Sequence, residues 1–304
     1  MKRFVVKISI IVLISVSMMN IVFLSEKDEW SLHSHERNAI LAYTRLKTLK
    51  DTNKIVIIAG SNGGFSINSR MISKAFHIPV VNTSTHAGIG VRMQFEIYKE
   101  LLHEGDIVIF CPEYGSDKKR LYGELTLFRI LSTYMPFAYS KISIPQWLFI
   151  YKNIGAHYNE TLEHRGAKAF DGPYSVNALN EYGDIECERL HQDSIKTYDI
   201  KGKMDNNLIS YYKYMHSYTQ ERGVKFIFLP PTFIESNYIK NNKQIDSIAN
   251  TLKVNGVGYQ ASPKRYAFPD SLYFDTPYHM TQSGANKRTE KIIEDLHRLL
   301  LLTR

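Results

Sequence analysis

Two kinds of hydrophobic pattern alternate along this chain. Short continuous apolar runs occupy 54–59, 79–82, 107–111 and 224–229, each bounded by turn residues. Runs of that length and composition predict buried strands. Between them lie segments with apolar positions three and four apart. Ile67–Phe76 carries Ile67, Met71, Ile72 and Ala75 on one side, and Val91–His103 carries Met93, Ile97, Leu101 and Leu102. Met204–Arg222, Tyr238–Val254 and Gln282–Leu302 also read as helices. The last has Thr281 as N-cap and Ile292, Leu296, Leu299 and Leu300 as its buried stripe. Leu272–Phe274 reads as a short strand or an approach segment. The alternation predicts an α/β fold with a parallel sheet covered on both faces. Functional groups of such sheets collect beyond the carboxyl ends of the strands. Here that edge carries Ser61, the loop Asn82–Gly90 and Pro112-Glu113-Tyr114.

Two regions depart from the pattern. Lys2, Arg3 and Lys7 precede the uncharged run Ile8–Ser25, which as a helix would be about 27 Å long, near the thickness of a bilayer core. This predicts a transmembrane anchor within 1–30, its basic end cytoplasmic and everything after Glu26 outside, on the periplasmic or extracellular face. A cleaved signal peptide is the rival reading, though no clean small-x-small site follows the run. Residues 31–52 read as a helical stalk. The second departure is 117–200, which separates the two parts of the α/β domain, 53–116 and 201–304. Leu121–Tyr151 concentrates aromatics, including Tyr122, Phe128, Tyr134, Trp147 and Tyr151, and Glu163–Asp184 is polar and turn-rich. It reads as an insertion capping the site. Its aromatics form either a subdomain core of their own or a surface for lipid or a membrane partner.

Composition adds little to the fold and something to the setting. Hydrophobic content of 44% and charged content of 22% are those of a globular chain. The net charge of +8 suits an anionic envelope polymer or phospholipid head groups, with scattered surface lysines as the plainer explanation. Outside the cytoplasm, nucleic acid is not an expected partner. Cys111 and Cys187 make no disulfide framework, and Cys111, closing an apolar strand, reads as a buried free thiol. His33 and His35 form a weak metal case, and no metal or organic cofactor is implied.

The chemistry concentrates in two stretches. In Asn53–Asn68, an apolar strand runs into Gly60-Ser61-Asn62-Gly63-Gly64 and then a helix pattern. Such a turn presents a serine hydroxyl, lets other backbone approach through the glycines and favours negative charge at the helix start. A capping serine is the plain alternative. In Phe274–Arg288, Asp275 and His279 stand just before the terminal helix. Serine needs a base, and histidine serving as base needs a carboxylate to hold its tautomer.

Gly60-Ser61-Asn62, the Asn82-to-Gly88 loop and Asp275…His279 together resemble successive blocks of the SGNH (GDSL-like) hydrolase superfamily. The resemblance is to its divergent, membrane-anchored branch, which includes the serine-hydrolase-like protein of teichoic acid D-alanylation and alginate-type O-acetyltransferases. The resemblance covers about 53–115 and 204–302. It implies a flavodoxin-like three-layer α/β/α fold and a Ser61-His279-Asp275 site acting on ester bonds. It further implies work beside a multi-pass membrane O-acyltransferase on an acylated envelope polysaccharide. The oxyanion donors would be the N–H groups of Ser61 and Gly88, with Asn62, Asn82, His86, Glu113 and Tyr114 near substrate. Strand three ends in Glu113 where the family has an asparagine donor, and an ionised carboxylate cannot donate. The contrasting expectation is a non-catalytic scaffold that binds glycan or a membrane O-acyltransferase.

Overall fold

The computed structural model describes residues 2–23, 32–163 and 168–301. The strands in chain order are β1 (Ile55–Ile58), β2 (Val80–Asn82), β3 (Ile107–Phe110), β4 (Lys225–Phe228), β5 (Phe233–Ile234) and β6 (Ala267–Phe268). The helices begin with α1 (Lys2–Phe23), α2 (Asn38–Thr48), α3 (Ser61–Ser66), α4 (Ser69–Phe76) and α5 (Gly90–Glu96). They continue with α6 (Lys118–Tyr122), α7 (Leu125–Tyr134), α8 (Ile144–Glu163), α9 (Asn206–Gln220), α10 (Glu235–Val254) and α11 (Gln282–Leu301).

The central sheet is parallel with order β2-β1-β3-β4, and β5 and β6 form a separate parallel pair. Ile55 aligns with Val80 on one side and Ile107 on the other, and Ile107 aligns with Lys225. Successive strand residues face opposite sides, so each apolar run feeds two cores. Val56, Ile58, Val108, Phe110, Phe226 and Phe228 join Met93, Phe95, Leu208 and Met215 in one. Ile55, Ile57, Ile107, Ile109 and Ile227 join Ile72, Ile292 and Leu296 in the other. From β1 the chain moves outward to β2 and then back across to β3. Such a reversal opens a crevice at the carboxyl ends of β1 and β3.

Several boundaries differ from expectation. The helix expected over Ile67–Phe76 begins only at Ser69, because Ile67 is extended and the Asn68 side chain caps α4 by accepting the Met71 N–H, and the separate short helix α3 precedes it. Instead of a strand at 272–274 there is one antiparallel bridge, Tyr273 with Met280. That bridge lies next to His279 and fixes the start of its loop. Thr281 caps α11 as expected, accepting the Gly284 N–H.

The two departing regions are built into the domain. Ala39, Ala42 and Leu46 of the supposed stalk are fully buried in the first core. So are Leu127, Phe128, Ile130 and Leu131 of α7, so among the described residues the segment 117–200 packs into the domain core and shows no separate aromatic core. An amphipathic helix buries its stripe on the nearest uncovered apolar face, and here that face belongs to the central sheet. Phe137, Ile144, Leu148 and Tyr151 remain exposed.

Helix α1 exposes its apolar side chains, among them Phe4, Ile11 and Leu13. Among the described residues, no helix is long and apolar enough to cross a membrane. The side chains of 19–23 and the stretch 24–31 of the expected anchor lie outside the described residues. Cys111 and Cys187 are free thiols, and burial pushes the Cys111 thiol up to about 11.

Candidate active site

Strand β1 delivers the chain to Gly60, and Ser61 is the first residue of α3. The other half of the site hangs on the Tyr273–Met280 bridge. Within it, Thr276 Oγ1 accepts the N–H groups of Tyr278 and His279 and closes a tight turn. Ser66, at the far end of α3, ties the halves together: its hydroxyl donates to the Tyr278 carbonyl at 2.7 Å and accepts the Met280 N–H. Residues more than two hundred positions apart are thus held in one rigid unit.

The result is a continuous hydrogen-bonded line. Ser61 Oγ lies 2.9 Å from His279 Nε2, and His279 Nδ1 lies 2.9 Å from Asp275 Oδ1. The carboxylate fixes the ring with Nδ1–H toward Asp275 and leaves Nε2 free to accept the serine proton. Burial pushes Asp275 up, but the hydrogen bond and charge of His279 and the Tyr174 hydroxyl outweigh it and leave the carboxyl below its ordinary value. Asp275 therefore stays ionised at neutral pH.

Two residues that sequence reasoning missed complete this line. Tyr174 donates its hydroxyl to Asp275 Oδ2, and the same oxygen lies 3.1 Å from His279 Nδ1. Burial and the hydrogen bond to Asp275 both raise the phenol, so it remains a donor. Phe65 stacks flat on the His279 ring, with centroids 4.1 Å apart and planes 11° from parallel. Phe65 was legible in principle: four residues after Ser61, it lies on the same helix face. Tyr174 carried no signal beyond the turn residues Asp171-Gly172-Pro173 before it.

The remaining expected residues divide into pocket wall and internal support. A cavity of about 600 Å³ opens at Ser61 and His279 and is also lined by His86, Gly88, Glu113 and Tyr114. Its outer wall comes from both ends of the 117–200 segment, including Arg120, Tyr198 and, just beyond, Lys201. Asn62 and Asn82 are corrected from substrate contacts to support, and both are fully buried. The Asn62 amide donates to the Cys111 carbonyl, while its two oxygens accept from the Arg288 guanidinium. The Asn82 amide donates to Gly63 O and Asp184 Oδ1, and its oxygen accepts the Ser84 N–H.

The anion site also differs from expectation. The Gly88 N–H, expected as an oxyanion donor, instead donates to His86 Nδ1 at 2.9 Å. Glu113 is almost fully buried, accepts the Asn62 N–H at 3.1 Å and faces Arg120 at 3.5 Å. A Cβ on Gly60 would overlap the Glu113 carboxylate, so the glycine is what admits it beside the α3 start. The Tyr114 hydroxyl is buried with no hydrogen-bond partner among the described residues, and its phenol is raised by burial and neighbouring tyrosines. At the start of α3 the Ser61 N–H has no intrahelical acceptor.

No protein-family model matches this chain, and no curated protein matches it.

Proposed function

We propose that the chain is a serine esterase or O-acyltransferase acting on acyl esters, acetyl foremost, of a cell-envelope or secreted polysaccharide. The observation that carries this reading is the unbroken Ser61–His279–Asp275 line opening into a cavity large enough for a sugar ester. In the proposed cycle His279 Nε2 takes the Ser61 proton as Oγ attacks the acyl carbonyl. The Ser61 N–H receives the developing oxyanion. Imidazolium then returns the proton to the departing alkoxide, leaving an acyl-serine. A sugar hydroxyl, or water, gives its proton to His279 and attacks the ester, which releases the serine. Transfer to sugar is the preferred outcome, and hydrolysis follows wherever water reaches the acyl-serine.

The strand order 2-1-3-4 supports a flavodoxin-like three-layer arrangement and, with the motif spacing, membership of the SGNH-like hydrolases. The apolar, exposed α1 supports a tether that holds the domain outside the cytoplasm. A multi-pass membrane O-acyltransferase is the partner that would supply acyl groups there.

The experiment is turnover of a simple acetyl ester by the purified chain and by Ser61→Ala and His279→Ala. Each substitution should lower kcat by about 10⁴-fold or more. Full activity in either variant would sink the triad. One observation favours a second reading, a non-catalytic glycan-binding scaffold: the Glu113 carboxylate takes the Asn62 N–H beside the serine, where negative charge opposes an oxyanion. A fluorophosphonate probe separates the two, labelling Ser61 in an enzyme and leaving a scaffold unmodified.

A further inference from the structure

Once Gly88 and Asn62 have spent their N–H groups, the reading above leaves the Ser61 N–H as a lone oxyanion donor. Holes of this type work with preorganised donors converging on one oxygen, usually more than one. A second donor is on the same wall. We propose that His86, locked as its Nε2–H tautomer by the Gly88 backbone, is the neutral donor that binds the acyl carbonyl oxygen attacked by Ser61. The inference rests on the acyl-transfer reading of this site and replaces the expected role of the Gly88 N–H.

The tautomer follows from one hydrogen bond. The Gly88 N–H donates to His86 Nδ1, so that nitrogen presents its lone pair, and the proton of the neutral ring sits on Nε2. Protonating Nδ1 would set two N–H groups against each other. Burial also keeps the ring neutral. Among its charged neighbours, Glu36 and Glu113 favour the imidazolium, Arg129 and His279 oppose it, and the net displacement is downward. The ring is built into place: a Cβ on Gly88 would press on His86 Nδ1 and on Thr126. No protein group among the described residues accepts from His86 Nε2, and the residue lines the cavity that holds Ser61 and His279.

The two histidines thereby take different parts. Asp275 holds His279 with Nε2 as a base, whereas Gly88 holds His86 with Nε2 as a donor. A neutral imidazole pinned at its far nitrogen polarises a carbonyl without competing for the serine proton. No covalent bond to His86 forms or breaks, because the ring only donates a hydrogen bond to the substrate.

The test uses the full chain in detergent with p-nitrophenyl acetate as probe. His86→Ala should lower kcat by about 10²–10³-fold with little change in KM, the cost typical of one lost oxyanion donor. His86→Gln, which retains a side-chain N–H donor, should recover a large part of that loss. Nitrogen-15 spectra at neutral pH should show His86 with Nε2 protonated and Nδ1 bare. Its Nε2 proton should move downfield when Ser61 carries a phosphonate adduct. An active wild type with an undiminished His86→Ala, or with His86 protonated on Nδ1, overturns this inference and leaves the acyl-transfer reading standing. A wild type that neither turns over the ester nor takes the phosphonate overturns both.

Discussion

Tyr174 shows how a single side chain couples a distant segment to Asp275 and His279. Its hydroxyl satisfies the Asp275 oxygen that His279 leaves open, and its backbone carbonyl accepts the His35 N–H at 2.8 Å. A carboxylate with both oxygens engaged is held in orientation as well as in charge. Tyr174→Phe keeps the ring against Phe65 but deletes the donor. The expected outcome is a kcat about 10-fold lower with nearly unchanged KM and stability, on the scale of losing an outer hydrogen bond to a site residue. Kinetics on the acetyl ester beside a urea melt would check it. Loss of stability without loss of kcat would assign Tyr174 to packing alone. Gly60 is the converse case, where absence of a side chain is the contribution, since only there can Glu113 reach the Asn62 N–H.

Among the elements, the short segment before α2 carries the clearest pH dependence. His35 is buried with Nδ1 directed at the Tyr174 carbonyl, and burial pushes its pKa down to about 4. The unfolded chain protonates this imidazole near pH 6.5, whereas the folded chain resists until about 4. Between those values the unfolded state binds more protons, so stability is full above about 6.5 and falls as pH drops through the window. The loss should approach about 3 kcal/mol by pH 4 as an upper bound. Urea midpoints at pH 7.5 and 4.5 should differ more in wild type than in His35→Gln. Equal slopes would refute the assignment. The neighbouring segment 180–185 is fastened differently, through the buried Asp184, which accepts from Ser69 and Asn82. That fastening is why Asn82 cannot also serve substrate.

For the whole molecule, the decisive arrangement is one parallel sheet whose two faces are covered by helices from three separated parts of the sequence. Helix α7 and helix α2 share a core with β1, β3 and β4. Cutting out the 117–200 segment would therefore expose the sheet instead of uncapping it. At this scale the proposed tether also has its test. The full chain should remain with the membrane fraction after alkaline carbonate washing and leave it only in detergent. A chain that washes off with carbonate would rule out an integral anchor.

Strand positions, helix phases and the serine at the end of β1 were legible because they depend on local periodicity and on turn chemistry between near neighbours. The pairing of Asp275 with His279 was legible for the same reason, as they share one short loop. Which polar groups remained available was not local. Asn62 meets Arg288, Asn82 meets Asp184 and Asp275 meets Tyr174, each across a hundred residues or more. A buried donor or acceptor must find a partner, and the choice among partners is made by packing. Sequence alone thus singled out Ser61, His279 and Asp275, which the fold brings into one hydrogen-bonded line. Tertiary structure decided which neighbouring groups are spent internally, the Gly88 N–H on His86 Nδ1 and the Asn62 N–H on the Glu113 carboxylate.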